Sequence, residues 1–165
     1  MSMFGSSDAQ SDFARAVKLV ETVIGGFGLD PQKCRIQTND GSTAYSLLRG
    51  SAEVLIFLNP TKDPKRPNFI RMVSPMWRLP AENHLDIFRR LLELNARDLY
   101  GTAFGIMAGK DNTLDAVLVT ERPTPDMDRG EVEEILGNIG AAADYFDDKL
   151  VAEFGGMRMT DLHKH

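Results

Sequence analysis

Cys34 is the single cysteine of the chain and its strongest intrinsic nucleophile. It stands between Lys33 and Arg35, and neighbouring cations lower the pKa of a thiol and so favour the reactive thiolate. A catalytic thiol also needs a base to accept its proton, and no histidine is near Cys34 in the sequence. The local pattern therefore favours an ordinary, half-buried cysteine on a strand, and an enzyme that uses Cys34 is kept only as a third hypothesis.

Metal binding and paired-carboxylate catalysis require histidines or acidic residues at fixed spacings. The histidines are His84, His163 and His165. None has the spacing of a metal site with Cys34 or with a helical carboxylate. Asp147 and Asp148 are adjacent acids, but neighbouring residues of a helix point ~100° apart. We therefore predict no metal, no cofactor and no catalytic residue.

Asn95 is a polar residue in an otherwise apolar helical pattern, within LLELNARDLYGTAFGI at 91–106. At ~100° per residue it falls near the middle of the apolar arc of its helix, so it should be buried. A buried amide without hydrogen-bond partners costs about 1–3 kcal/mol, so partners are expected. No acid, base or metal ligand is spaced to help it. We predict a structural role, with its side chain bonded to backbone groups near the helix end or across a subunit contact.

The elements that must position these residues follow from hydrophobic periodicity and turn signals. The predicted order is a helix at 7–25, strands at 43–49, 52–59 and 68–77, a helix at 81–99, strands at 103–108 and 113–120, and a last helix through 132–150. The nearly continuous apolar run at 52–59 indicates a central strand, whereas Pro75 disfavours a central, fully paired position for 68–77. The tail from Gly155 to His165 lacks periodicity and is expected to be frayed. One α+β domain over residues 1–165 is predicted.

Composition limits the classes of function. The chain has 165 residues, 42% of them apolar, and a net charge of −5 with a pI of about 5.2. A phosphate backbone is repelled by such a charge, so no nucleic-acid partner is expected. No apolar run approaches the ~20 residues that cross a bilayer, and the N-terminal residues lack a signal-peptide pattern. A single cysteine suits a reducing compartment, so a cytoplasmic location without membrane attachment is predicted.

Three segments carry a resemblance to a known family. They are LPAENHLDIFRRLLELNARDLYGTAFGI at 79–106, VLVTERP at 117–123 and the helix that ends ADYFDDKL at 143–150. With the order α-β-β-β-α-β-β-α over about residues 8–154, the chain resembles the YbjN-like proteins, which are similar in fold to type III secretion chaperones of the Tir-chaperone class. The resemblance implies an antiparallel sheet packed by helices, a homodimer, a peptide- or protein-binding role without catalysis, and a link to signalling or stress regulation.

The second predicted helix supports a dimer independently. Its apolar positions are Leu85, Ile87, Phe88, Leu91, Leu92, Leu94 and Leu99. They span roughly 180°, more than the ~100° stripe that packing on one layer needs. The excess requires the other helices or a second subunit, and a symmetric dimer is the commonest solution. We predict a homodimer interface that contains Phe88, Leu91, Leu92 and Asn95.

The first predicted helix indicates where a partner would bind. Beside the stripe of Phe13, Val17, Val20 and Ile24, it carries Leu19 and Val23 off that stripe. The prediction is an exposed apolar groove that contains Leu19 and Val23, with Met72, Met76 and Trp77 as neighbours. Methionine adapts to several partner sequences, and tryptophan is a frequent interface anchor. The alternative is that all five residues lie in the core.

Two hypotheses of function follow from these observations. The leading one is a non-enzymatic protein- or peptide-binding module of chaperone-like fold, with an unidentified protein or peptide partner. The alternative is a ligand-sensing regulatory domain that holds a small molecule between helices and sheet.

Overall fold

Helices and strands follow the predicted order, with short additional elements at 31–36 and 157–162. The computed structural model describes residues 6–63 and 65–162, with side chains from residue 9 onward. The helices are α1 Ser6–Gly26, α2 Pro31–Cys34, α3 His84–Arg97, α4 Arg129–Phe154 and α5 Met159–Leu162. The strands are β1 Arg35–Ile36, β2 Thr43–Arg49, β3 Ala52–Asn59, β4 Phe69–Arg78, β5 Ala103–Ala108, β6 Leu114–Pro123 and β7 Met157–Arg158.

The strands hydrogen-bond in the order β1-β2-β3-β4-β6-β5, and β7 pairs with β4. Strand β3 is interior, as its apolar run predicted. Strand β4 lies between β3 and β6, so the expectation drawn from Pro75 is wrong. Pro75 has no N–H to donate, but the adjacent Ser74 hydroxyl donates to the carbonyl of Glu53 at 2.7 Å. The strand thus keeps a donor beside its proline.

Two compact units make up the chain, and each draws on three stretches of sequence. The first unit comprises Met1–Leu47, Leu55–Met72 and Glu121–Leu136, and the second Leu48–Val54, Val73–Thr120 and Gly137–His165. Because four strands and α4 run from one unit into the other, neither unit is contiguous in sequence. A single domain over the whole chain stays a prediction.

Helix α1 forms the apolar wall of the first unit. Ala16, Val20, Val23 and Ile24 recur at helical spacing and are buried. The helix ends at Gly26 before Gly28, whose φ of 77° suits a residue without a Cβ. The buried Tyr45 of β2 donates its hydroxyl to Glu21 Oε1 at 2.9 Å, so its polar end is satisfied on the same helix.

A polar network around Asp12 fixes α1 in the first unit. Its carboxylate accepts hydrogen bonds from the Thr124 hydroxyl at 2.5 Å, from Asn68 Nδ2 at 3.0 Å and from Arg15 at 3.0 Å. Arg15 also donates to the carbonyl oxygens of Thr124 and Met127. Burial raises the pKa of Asp12, but these hydrogen bonds outweigh burial and hold its pKa below the ordinary value. Every partner in this network is satisfied within the chain, which indicates a structural role.

The C-terminal segment of the second unit has secondary structure over 157–162, within the tail that was expected to be frayed. Strand β7 pairs antiparallel with the end of β4, in the register Trp77↔Arg158 and Arg78↔Met157. The segment then forms α5. The remaining part of the predicted tail, 163–165, lies outside the described residues.

Candidate binding surfaces

The residues predicted to form an exposed partner-binding groove lie mostly inside the protein. Val23 is buried in the first unit with Met72, and Met76 and Trp77 are buried in the second. Leu19 is half-buried. Burial contradicts the expected exposure of four of the five residues, because apolar helix and strand positions there face the interior. A partner role for these residues stays a prediction.

Helix α3 divides its apolar arc between the interior and the surface. Ile87, Leu91 and Leu94 are buried, and Phe88 is half-buried. Leu85 and Leu92 are 74% and 68% exposed. We call Leu85, Phe88 and Leu92, with the adjoining Ala96, the outer face of α3. Arg89, Glu93 and Arg97 border the shallow groove along this face. The burial of Leu91 removes it from this surface, so of the predicted interface leucines only Leu92 is available for contact.

Asn95 is bonded to the backbone of a neighbouring strand. Its Oδ1 accepts from the N–H of Phe104 at 2.7 Å, and its Nδ2 donates to the carbonyl oxygen of Phe104 at 3.2 Å. Strand β5 is the last in the sheet order and is therefore an edge strand. The amide of Asn95 satisfies the N–H and C=O of Phe104, the two groups that a neighbouring strand would otherwise bond. The predicted bonding to backbone groups is confirmed, although the residue is half-buried rather than buried. Its place in a dimer interface stays a prediction.

An open groove of about 980 Å³ runs between the end of α3 and α4 in the second unit. Leu94, Phe146 and Leu150 contribute apolar lining, and the more exposed Tyr100 and Tyr145 lie among the lining residues. Sequence reasoning missed this groove because its two walls, within 90–102 and 141–153, are separate in the sequence. Each wall taken alone reads as the end of one amphipathic helix.

The candidate chemical groups that the structure describes lie on separate elements: Cys34 on α2, His84 on α3 and Asp147 on α4. Cys34 is half-buried as expected, but it lies at the C-terminal end of the four-residue α2 and not on a strand. The His84 ring lies 2.8 Å from the carbonyl oxygen of Pro80 and stacks on Phe88, with ring centroids 5.9 Å apart. Among residues 6–63 and 65–162, no group of three or more His, Cys, Asp or Glu side chains is arranged to hold a metal ion.

Asp147 is a buried carboxylate in α4. Burial raises its pKa, whereas its hydrogen bond from the N–H of Asp148 at 2.6 Å acts in the opposite direction. The neighbouring carboxylates of Asp148 and Asp144 raise the pKa further, and Arg158 lowers it. An ionised carboxylate in such a site lowers the stability of the folded chain at neutral pH. The raised pKa of Asp147 therefore has a structural explanation and does not indicate a substrate site.

None of the helices that the structure describes is long and apolar enough to cross a membrane.

No protein-family model matches the chain, and no curated protein sequence matches it significantly. A solved structure is similar to it: a chain of the "Crystal Structure of the ExsC-ExsE Complex", with 17% sequence identity and a TM-score of 0.57. The alignment covers 82% of this chain and 92% of that chain. The predicted fold class, α+β with an antiparallel sheet packed by helices, is confirmed by the strand order and by this likeness.

Proposed function

We propose that the protein is a non-enzymatic protein-binding module that works as a homodimer. The observation that carries the proposal is the outer face of α3, where Leu85 and Leu92 are 74% and 68% exposed beside the half-buried Phe88. Two large, exposed apolar side chains on one side of a helix indicate a surface that a partner covers rather than one that faces solvent. The similar solved chain is part of a complex between two proteins, as its description states, which supports a protein partner here.

The charges beside this face favour a second copy of the chain as the occupant. Arg89, Glu93 and Arg97 flank the leucines, so both signs of charge border the same helix. In a twofold contact, each residue meets its counterpart on the same patch of the partner subunit. A face with both signs can pair arginine with glutamate across such an axis. Phe88 and Leu92 form the apolar centre of the proposed contact.

Light scattering of two leucine variants tests the dimer. We expect the wild-type chain to have about twice the monomer mass of 18.3 kDa. Leu92→Glu places a charge in the proposed contact and should give the monomer mass. Leu48→Glu is the matched control, because Leu48 is 75% exposed but lies on β2. A wild-type monomer, or equal dissociation by both variants, would contradict the proposal.

The protein partner is tested by crosslinking the full chain in an extract of its own cells and identifying captured molecules by mass spectrometry. A recurrent protein partner supports the binding module. Membership of the YbjN-like proteins, a cytoplasmic location and a role in signalling or stress regulation belong to this proposal, and the segments at 79–106, 117–123 and 143–150 support them.

A ligand-sensing regulator is the second candidate, and the groove between α3 and α4 favours it. Its volume of about 980 Å³ lies within the range of about 300–1,000 Å³ that is typical of small-molecule sites. If only metabolites co-purify with the chain, and substitution of Phe146 by alanine abolishes that binding, the regulator is the better description.

A further inference from the structure

The end of β4 is covered by the chain's own C-terminal segment. We call residues 155–162 the C-terminal strap. Its strand β7 pairs with Trp77 and Arg78 at the end of β4, and the Trp77 indole Nε1 donates to the carbonyl oxygen of Gly155 at 2.8 Å. Trp77 is fully buried under this cover. The strap therefore occupies a place that an added β-strand could take.

Close contact with β4 restricts position 156 of the strap to glycine. Gly156 has a φ of 84°, and a Cβ at this position would lie 2.4 Å from the carbonyl oxygen of Arg78 and 2.5 Å from Trp77 Nε1. Neither atom belongs to a flexible chain end, because one is backbone and the other is in a buried ring. Only a glycine can therefore lie at this point over Trp77.

The β4 side of the contact is held independently of the strap. Arg78 makes two hydrogen bonds to Asp115 of β6, at 2.9 and 3.2 Å. The Trp77 ring packs near Phe154 of α4, with centroids 6.2 Å apart. None of these contacts involves a residue of the strap, so the end of β4 is also held by β6 and α4.

The strap itself is attached through short and partly exposed contacts. Its strand has two residues, and Arg158 bonds Asp148 of α4 at 2.7 Å. The second ion pair of Arg158, with Asp161 at 2.8 Å, lies within the strap. The Asp148 side chain is 70% exposed, and exposed ion pairs stabilise by only about 0–1 kcal/mol each. Segments with few buried contacts open at a small fraction of the global unfolding free energy.

We propose that the end of β4 at Trp77–Arg78 is an acceptor for an extended segment of a protein partner, which takes the place of the C-terminal strap. The proposal rests on the proposed binding function and specifies the chemistry of one partner segment. That segment carries glycine at the position of Gly156 and pairs with the backbone of Trp77 and Arg78. Two residues further on it carries a cation that reaches Asp148.

Because the indole N–H of Trp77 is buried, we expect the strap to be replaced by a partner segment rather than to detach and leave the site empty. Without the strap, Trp77 Nε1 loses the Gly155 carbonyl, and an unsatisfied buried donor is costly. A partner segment that supplies a carbonyl at the same point removes this cost. The strap thus keeps the acceptor closed until a segment of matching chemistry replaces it.

The test uses the fluorescence of Trp77, the single tryptophan of the chain, in the full-length protein. In Gly156→Ala the strap no longer fits, and we expect a severalfold rise in quenching of Trp77 by acrylamide. A peptide with the sequence of residues 154–162 should reverse the rise by binding in trans. The same peptide with alanine in place of Gly156 should not. If Gly156→Ala fails to fold, Arg158→Ala removes the ion pair to Asp148 without adding a clash and should give a smaller rise in quenching, which the same two peptides then distinguish.

The result that overturns the inference is a folded variant whose Trp77 stays as protected as in the wild type, or an exposed Trp77 on which both peptides act alike. Light scattering of the same samples separates this failure from failure of the proposed function. A wild-type dimer with no peptide binding leaves the outer face of α3 intact as a proposal, and removes only the acceptor on β4.

Discussion

Asn95 illustrates what a single residue reveals before its neighbours are known. Its polarity within an apolar arc predicted bonds to backbone groups, either near the end of its helix or across a subunit contact. The identity of the partner, Phe104, was not predictable, because it depends on how the chain turns between α3 and β5. The two hydrogen bonds to one residue of an edge strand depend on the tertiary structure.

Replacement of Asn95 by alanine should leave the N–H and carbonyl of Phe104 without their side-chain partner. We expect a loss of about 1–3 kcal/mol in the free energy of unfolding, measured by denaturant titration. Glu93→Ala on the same helix is the control, measured at concentrations where light scattering gives the monomer mass, and it should change stability by no more than about 0.5 kcal/mol, since Glu93 is exposed in the single chain. Equal effects of the two substitutions would show that the bonds of Asn95 contribute nothing specific.

Asp147 should make the protein less stable at neutral pH than a neutral side chain would. Burial raises its pKa in the folded state, so the folded chain binds this proton more tightly than the unfolded chain does. Stability then falls as pH rises from the unfolded pKa of about 3.9 through the raised folded pKa. Asp147→Asn removes this term while its Oδ1 can still accept from the N–H of Asp148.

We therefore expect Asp147→Asn to unfold at a higher denaturant concentration than the wild type at pH 7, and the difference to shrink as pH falls to about 4. The measurement is a pair of denaturant titrations at the two values of pH. A variant that is less stable than the wild type at pH 7 would show that the carboxylate has a stabilising partner which outweighs its burial.

At the scale of elements, long periodic segments were predictable and short ones were not. Helices α1, α3 and α4 and strands β2, β3, β5 and β6 followed from periodicity of at least six residues. Strands β1 and β7 have two residues each, which is too few to carry a pattern. The two consecutive glycines at 155 and 156 indicate the end of a helix. In the structure both have a positive φ, which lets the chain turn back onto β4.

The width of the apolar arc of α3 was visible in the sequence, but its division was not. Leu91 is buried and Leu92 is exposed, although both belong to the same arc. We expect Leu91→Ala to lower the free energy of unfolding by about 2–5 kcal/mol. Leu92→Ala should change it by no more than about 0.5 kcal/mol. Both are measured by denaturant titration, at concentrations where light scattering gives the monomer mass. Similar losses for the two leucines would contradict the burial described for this helix.

At the scale of the whole molecule, the predicted partner groove shows where sequence reasoning fails. Methionine and tryptophan are typical of adaptable interfaces, and the same residues are typical of cores. Met72, Met76 and Trp77 lie on β4, which the sheet order places in the interior between β3 and β6. Residue type alone therefore did not distinguish a partner surface from the interior of the sheet.

If the outer face of α3 joins two copies of the chain, stability must depend on protein concentration. A dimer that forms only from folded chains stabilises the folded state by mass action, so the midpoint of thermal unfolding rises with concentration. We expect this rise for the wild type and for Leu48→Glu, and its loss in Leu92→Glu. Differential scanning calorimetry over a hundredfold range of concentration measures it. A wild-type midpoint that does not depend on concentration, together with a mass of 18.3 kDa, would show that α3 carries its exposed leucines without a second subunit.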